Sequence, residues 1–262
     1  MGVCCGLIVS AASPLGCAPG GRESQSSPTR SAPSGQPGAE ILILCGSSFR
    51  PPVEKLKSLY EGASQDRLVL SFGGSEDLLP QVKMKMAGDV FVTHDPYIDE
   101  TRQAGSLARN VAVGYVAPVL VTARGNPKKI RRIEDLAQPG LRVVLPHPDY
   151  STCGKMVFDL LERKKLKDAV LANVGNAQVR SHKEVAELIK LGHRDAGIMW
   201  NGVAHTWLDA VEIIPAPYEY REDVNVGVMG LSYSKQPAAV ERFLKYVEAH
   251  GQQVFAEYGY VK

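Results

Sequence analysis

Apolar runs without polar alternation recur along this chain, and turns rich in glycine and hydroxyl residues follow them. Ile41-Leu42-Ile43-Leu44 runs into Cys45-Gly46-Ser47-Ser48, and Leu68-Val69-Leu70-Ser71-Phe72 into Gly73-Gly74-Ser75. Asp89-Val90-Phe91-Val92, Arg142-Val143-Val144-Leu145 and Asp195-Ala196-Gly197-Ile198-Met199-Trp200 repeat the theme. A short run without alternation is the pattern of a strand buried on both faces, as parallel strands are. Between the runs, apolar residues fall at helical spacing. Val53, Leu56 and Tyr60 share one face, as do Leu78, Leu79 and Val82; Met156, Val157, Leu160 and Leu161 form another, and Val185, Leu188 and Ile189 a fourth. Strand, turn, helix in alternation predicts an α/β fold with a mainly parallel sheet.

The turns predict where function would sit. In such folds ligands bind outside the carboxyl ends of the strands. Helix N-termini there present free backbone N–H groups and the positive end of the dipole. Pro51-Pro52 suit a first helical turn, which places Ser48 at or near an N-cap. Asp95 is read as a cap with Pro96 at the first helical position. Ser151 or Thr152 caps the next helix, and Ser181-His182-Lys183-Glu184 matches a capping box. Several such turns together would bind an anion with backbone and hydroxyl donors, without a lysine or arginine.

The stretch VVLPHPDYSTCGKMVF (143–158) gathers His147, Asp149, Ser151 and Cys153 within seven positions. Three readings are open: a nucleophile with a nearby base, a metal site, or a turn whose backbone faces a ligand. No Gly-x-Ser-x-Gly, His-Glu-x-x-His, phosphate-loop or dinucleotide motif accompanies it. The backbone reading is preferred, with no catalytic residue and no cation. Formal net charge is +2 and no dense basic block occurs, so nucleic-acid binding has no support. Of five cysteines, Cys4, Cys5 and Cys17 precede the folded part; Cys45 and Cys153 show no zinc or disulfide spacing.

The amino end is of another kind. Residues 3–16 are apolar and small, too short to span a bilayer, and resemble the hydrophobic part of a secretory signal. Pro14-Leu15-Gly16-Cys17 resembles a bacterial lipoprotein box, which implies lipid attachment at Cys17. The rivals are a Met1-Gly2 myristoylation pattern and an untargeted tail. Residues 18–38 hold no aliphatic residue larger than alanine apart from proline, and read as a flexible linker.

From about Ala39 to Tyr260 the chain resembles the molybdate/tungstate-binding component of ABC importers, a type II periplasmic binding protein. The resemblance rests on Gly46-Ser47-Ser48, Phe72-Gly73-Gly74-Ser75, Ala87-Gly88-Asp89-Val90-Phe91-Val92-Thr93-His94-Asp95, Ala108-Arg109-Asn110, Gly125-Asn126-Pro127, Ile133-Glu134-Asp135-Leu136-Ala137, Asp195-Ala196-Gly197-Ile198 and Phe255-Ala256-Glu257-Tyr258-Gly259, in that order. It implies two lobes, each with a mainly parallel sheet: residues 39–117 plus 215–262 as lobe one and 118–214 as lobe two. Val116–Thr122 and Asn225–Met229 would cross between them.

Carried over by position, Ser48 and Ser75 would donate from lobe one, with Cys153 and His182 as main-chain donors in lobe two. Trp200 would stand where the family has a tyrosine; Ser47, Thr152 and Asn201 are further candidates. The resemblance implies a monomeric extracytoplasmic protein, tethered to the membrane, that clamps molybdate or tungstate without a cofactor and hands it to an ABC permease. A binding or sensor module of the same fold for another inorganic or organic anion is the alternative. Glu76 follows Ser75; its carboxylate either repels an oxyanion or points outward over the helix N-terminus. Arg50 and Lys155 lie next to the donor turns, either solvated or facing the cleft.

Overall fold

A computed structural model describes residues 38–215 and 224–261. The signal-like segment, Cys17 and all of the linker but Gly38 lie outside the described residues. The elements run β1 (Glu40–Gly46), α1 (Arg50–Ala63), β2 (Arg67–Gly73), α2 (Ser75–Lys83), β3 (Val90–His94), α3 (Tyr97–Gln103) and β4 (Leu107–Val116). They continue through β5 (Pro118–Ala123), a 3-10 turn (Ile133–Ala137), β6 (Val143–Pro146), α4 (Thr152–Arg163), α5 (Lys167–Val174), β7 (Gln178–Val179) and α6 (His182–Lys190). The last are β8 (Ala196–Trp200), α7 (Asn201–His205), β9 (Val211–Ile213), β10 (Val224–Leu231) and α8 (Pro237–Glu257).

Two five-stranded sheets result, in the orders β2-β1-β3-β10-β4 and β7-β6-β8-β5-β9. In the first, β10 pairs antiparallel with both β3 and β4; in the second, β5 pairs antiparallel with both β8 and β9. So four strands of each sheet share one direction and a single strand opposes them. The chain leaves the first sheet after Val116 and enters the second at Pro118. The predicted crossing at 116–122 is thus a one-residue link followed by a strand. Asn225–Met229 is not a crossing: it lies inside β10, and residues 216–223 before it are outside the described residues.

Apolar runs form these strands because both sheet faces are covered. Along β1, Ile41, Ile43 and Cys45 join the main core under α1 and α8. Leu44 points the other way, onto Leu78, Leu79 and Val82 of α2 and Phe91 of β3. Burying a side chain of this kind contributes roughly 1.5–3 kcal/mol. In α8, Val240, Phe243, Leu244, Val247, Val254 and Phe255 form the buried stripe, and Pro237 opens the helix where no N–H is needed.

Two expected caps are absent. Ser47, Ser48 and Phe49 form a 3-10 turn that drives Phe49 into the core, so α1 begins at Arg50 with its prolines in the first turn. Phe49, not Ser48, stands at the α1 N-cap, which has no side-chain cap hydrogen bond; the neighbouring Ser47 hydroxyl donates to the Gly73 carbonyl at 3.0 Å. Asp95 does not cap α3 either; its carboxylate accepts from the Asn225 backbone N–H (3.2 Å) and side-chain amide (2.8 Å) of β10. The other two caps form: Ser151 accepts from Gly154 N–H and Ser181 from Glu184 N–H, both at 3.3 Å.

Candidate functional site

Six strands end at one cleft, and the residue types at those ends decide its chemistry. After β1 come Ser47 and Ser48, after β2 Gly74 and Ser75, and at the end of β3 His94. The second sheet supplies Tyr150, Ser151 and Thr152 beyond β6, Arg180, Ser181 and His182 beyond β7, and Trp200 at the end of β8. All these residues line one space of about 720 Å³.

Backbone donors converge there. Ser75 and Glu76 open α2, and Thr152 and Cys153 open α4; their N–H groups precede the first intrahelical acceptor. His182 opens α6 in the same way. A glycine makes one close approach possible: a Cβ on Gly46 would lie 2.6 Å from the Ser75 hydroxyl. Ser75 is itself buried at 6% exposure. Thr152 of the lining donates from its hydroxyl to the Tyr97 hydroxyl of α3 at 3.1 Å, joining elements of the two sheets.

The floor is aromatic. The His94 ring meets Trp200 edge-on at 5.5 Å, and the His182 ring lies 5.7 Å from Trp200. The His94 Nδ1–H donates to the Asp95 carbonyl at 2.6 Å, so Nε2 carries the lone pair. Burial pushes both imidazoles down, His94 to about 4 and His182 to about 3, the latter helped by its neighbour His94. Both are therefore neutral near pH 7. His182 Nδ1 is buried and has no hydrogen-bond partner among the described residues.

Charge enters at the walls. The Arg50 guanidinium lies 3.7 Å over the Phe72 ring and pairs with Glu54 at 3.2 Å. Arg180 lies 4.0 Å over Tyr150. Glu76 lines the cleft rather than pointing away from it. Desolvation raises its pKa above the usual carboxylate range, opposed by its own backbone N–H and by Arg180.

Of the residues singled out in the sequence, Ser47, Ser48, Ser75, Thr152, His182 and Trp200 are brought together here. Asn201 is placed elsewhere, and what Cys153 offers is the backbone N–H that opens α4, as a main-chain donor, and not its side chain. The Cys153 side chain is fully buried in the core, where burial raises its thiol pKa well above normal, so no thiolate is available. Asn201 belongs to the link between sheets. Its Oδ1 accepts from Ala117 N–H at 3.1 Å, and its amide donates to the Gly259 carbonyl at 2.9 Å. Lys155 is exposed and away from the cleft.

Sequence reading missed His94, Arg180 and Tyr97. His94 was findable, since it ends its strand as Ser48 and Ser75 follow theirs. Among the described residues no group of three or more His, Cys, Asp or Glu could hold a metal ion, and no helix is long and apolar enough to cross a membrane.

Comparison with known proteins agrees with this architecture. The chain is 28% identical to the molybdate-binding protein ModA of Mycobacterium tuberculosis, over 99% of this chain and 92% of that protein. It superposes with a TM-score of 0.68 on the sulfate-binding protein SubI of M. tuberculosis, at 19% identity, covering 85% of this chain and 86% of that one. Iron-bound HitA of Pseudomonas aeruginosa gives 0.65 at 16% identity, with 84% of each chain covered. Both superpositions identify the two-lobe fold of type II periplasmic binding proteins. Residues 41–261 match the family described as bacterial extracellular solute-binding protein. The chain belongs to the bacterial extracellular solute-binding proteins, which bind solutes and are not enzymes.

Proposed function

We propose that this protein captures a tetrahedral oxyanion, molybdate or tungstate, and delivers it to an ABC permease. The observation that carries the reading is the meeting of three helix N-termini and the Ser48 and Ser75 hydroxyls at the carboxyl ends of six strands. Donors fixed in that geometry solvate an oxyanion without a counter-ion. The 28% identity to a molybdate-binding protein over nearly the whole chain supports the same class. Ser48, Ser75 and the N–H groups opening α4 and α6 would close on the ligand as the two lobes rotate about the Ala117 link. The Trp200 indole N–H would take the place of a donor hydroxyl.

Cys17 would anchor the chain by lipid after cleavage of the signal-like segment, and residues 18–38 would tether the folded part beside its permease. The protein would act as a monomer.

A second reading has one observation in its favour. The cleft is larger than a five-atom anion needs, and Val203 and Trp207 give it an apolar wall. An oxyanion carrying an organic group would fill it.

The test is calorimetric titration of the full chain with molybdate, tungstate, sulfate, phosphate and a phosphate monoester. Tight one-to-one binding of the first two, lost in the Ser48→Ala, Ser75→Ala double variant, is expected. Binding of the monoester alone would favour the second reading; no heat with any of the five would sink both.

A further inference from the structure

Resting on that oxyanion reading, we propose that Glu76 and the bound anion share one proton, so that Glu76 sets which oxyanions this cleft accepts.

The argument begins with position. Glu76 is the second residue of α2, and it lines the cleft beside Ser75. Its carboxylate folds back over the helix start: a Cβ on Gly74 would lie 2.8 Å from Glu76 Oε1 and 2.8 Å from Asp77 Oδ2. The donors that would meet an oxyanion are thus shared with a resident carboxylate. A fully ionised Glu76 would compete for them and repel a dianion. A protonated Glu76 would do neither, and would add an O–H donor.

Neighbouring charge does not remove the conflict. Arg50 is answered by Glu54 at 3.2 Å and Lys183 by Glu187 at 3.2 Å. Arg180 is the cation that acts on Glu76, and Asp77 opposes it from the same helix turn. Tyr97 faces both acids with its hydroxyl engaged by Thr152. His94 and His182 stand neutral beneath, and the His182 Nδ1 is buried without a partner in the described structure, which a ligand would supply. Burial already favours the protonated form of Glu76.

The balance is simple. Solvent supplies one proton; it ends on the Glu76 carboxyl oxygen, directed at an oxygen of the anion. A more basic oxyanion is the better partner for that proton. Molybdate and tungstate are therefore accepted over sulfate, a weaker base than either.

The test uses the full chain and the Glu76→Gln variant, titrated with molybdate and sulfate between pH 6 and 9 in two buffers of different ionisation heat. The wild type is expected to take up one proton per molybdate, and its Kd to rise about tenfold per pH unit above the Glu76 titration. Glu76→Gln is expected to bind molybdate without uptake, with a flat Kd, and to gain at least tenfold for sulfate at pH 8.

Uptake unchanged in Glu76→Gln would move the proton to a histidine and overturn the inference. Molybdate binding without any uptake in the wild type would overturn it too, leaving the oxyanion reading intact. No binding of either anion by either protein would overturn the oxyanion reading and this inference together.

Discussion

Ser75 concentrates the residue-scale argument. It is buried, it opens α2, and its hydroxyl nests against Gly46 of the neighbouring strand end. A hydroxyl donating to an anion is worth about 1.5–3 kcal/mol. Ser75→Ala should therefore weaken anion binding by about tenfold to a hundredfold in calorimetry, with little change in the unfolding midpoint. Cys153 makes the opposite case. In a variant with serine at 4, 5 and 17, Cys45 and Cys153 should resist a thiol reagent in the native state and react only on unfolding, because burial raises both thiols far above their usual range. Rapid labelling of the folded protein would show the packing to be wrong. Ser48 and Ser75 were legible in the sequence because each follows a strand within a short glycine turn. Arg180 was not, since its stacking on Tyr150 joins residues 30 positions apart that no local pattern relates.

At the scale of the element, caps and links hold the cleft walls in place. Ser151 accepts from Gly154 N–H at the start of α4, and Ser151→Ala should cost about 1 kcal/mol in urea unfolding. Gly202 in α7 permits a tighter packing: a Cβ there would lie 2.3 Å from the Tyr260 ring. Gly202→Ala should destabilise by about 1–3 kcal/mol and also weaken anion binding, because Tyr260 donates from its hydroxyl to the Ser48 carbonyl. A variant as stable as the wild type would remove the link between α7 and the donor turn. The strands and most helices could be read from apolar periodicity, which is local. The Asp95 cap could not, because Asn225, 130 positions away, claims its carboxylate. The 3-10 turn at Ser47–Phe49 was missed for a related reason: Phe49 is pulled inward against His94, Phe255 and Tyr260, all distant in sequence.

Across the whole molecule, each sheet is fastened by one buried aspartate. Asp66 accepts from Arg242 of α8 at 2.8 Å, from Tyr60 at 2.8 Å and from Ala39 N–H at 2.9 Å. Asp195 accepts from the Arg142 side chain at 2.7 Å and its N–H at 2.9 Å. The arginine partners hold both carboxyls below the usual range. Depressed carboxylates stabilise the fold above their unfolded pKa, and that stability is lost as pH falls through the lower, folded values. Thermal midpoints should therefore drop on acidification below about pH 4, and Asp66→Asn should flatten part of that drop while lowering the midpoint at pH 7. An unchanged acid profile in Asp66→Asn would show that Asp66 carries none of it. One further consequence follows from the Tyr260 contact. Ser48 and Tyr260 stand 212 positions apart, so the first donor turn is finished only when nearly the last described residue arrives. A chain emerging from its amino end carries the strands and helices of the cleft well before the cleft is complete. Biosynthesis thus postpones completion of this turn to its final steps, and on the proposed reading capture of the anion would wait with it.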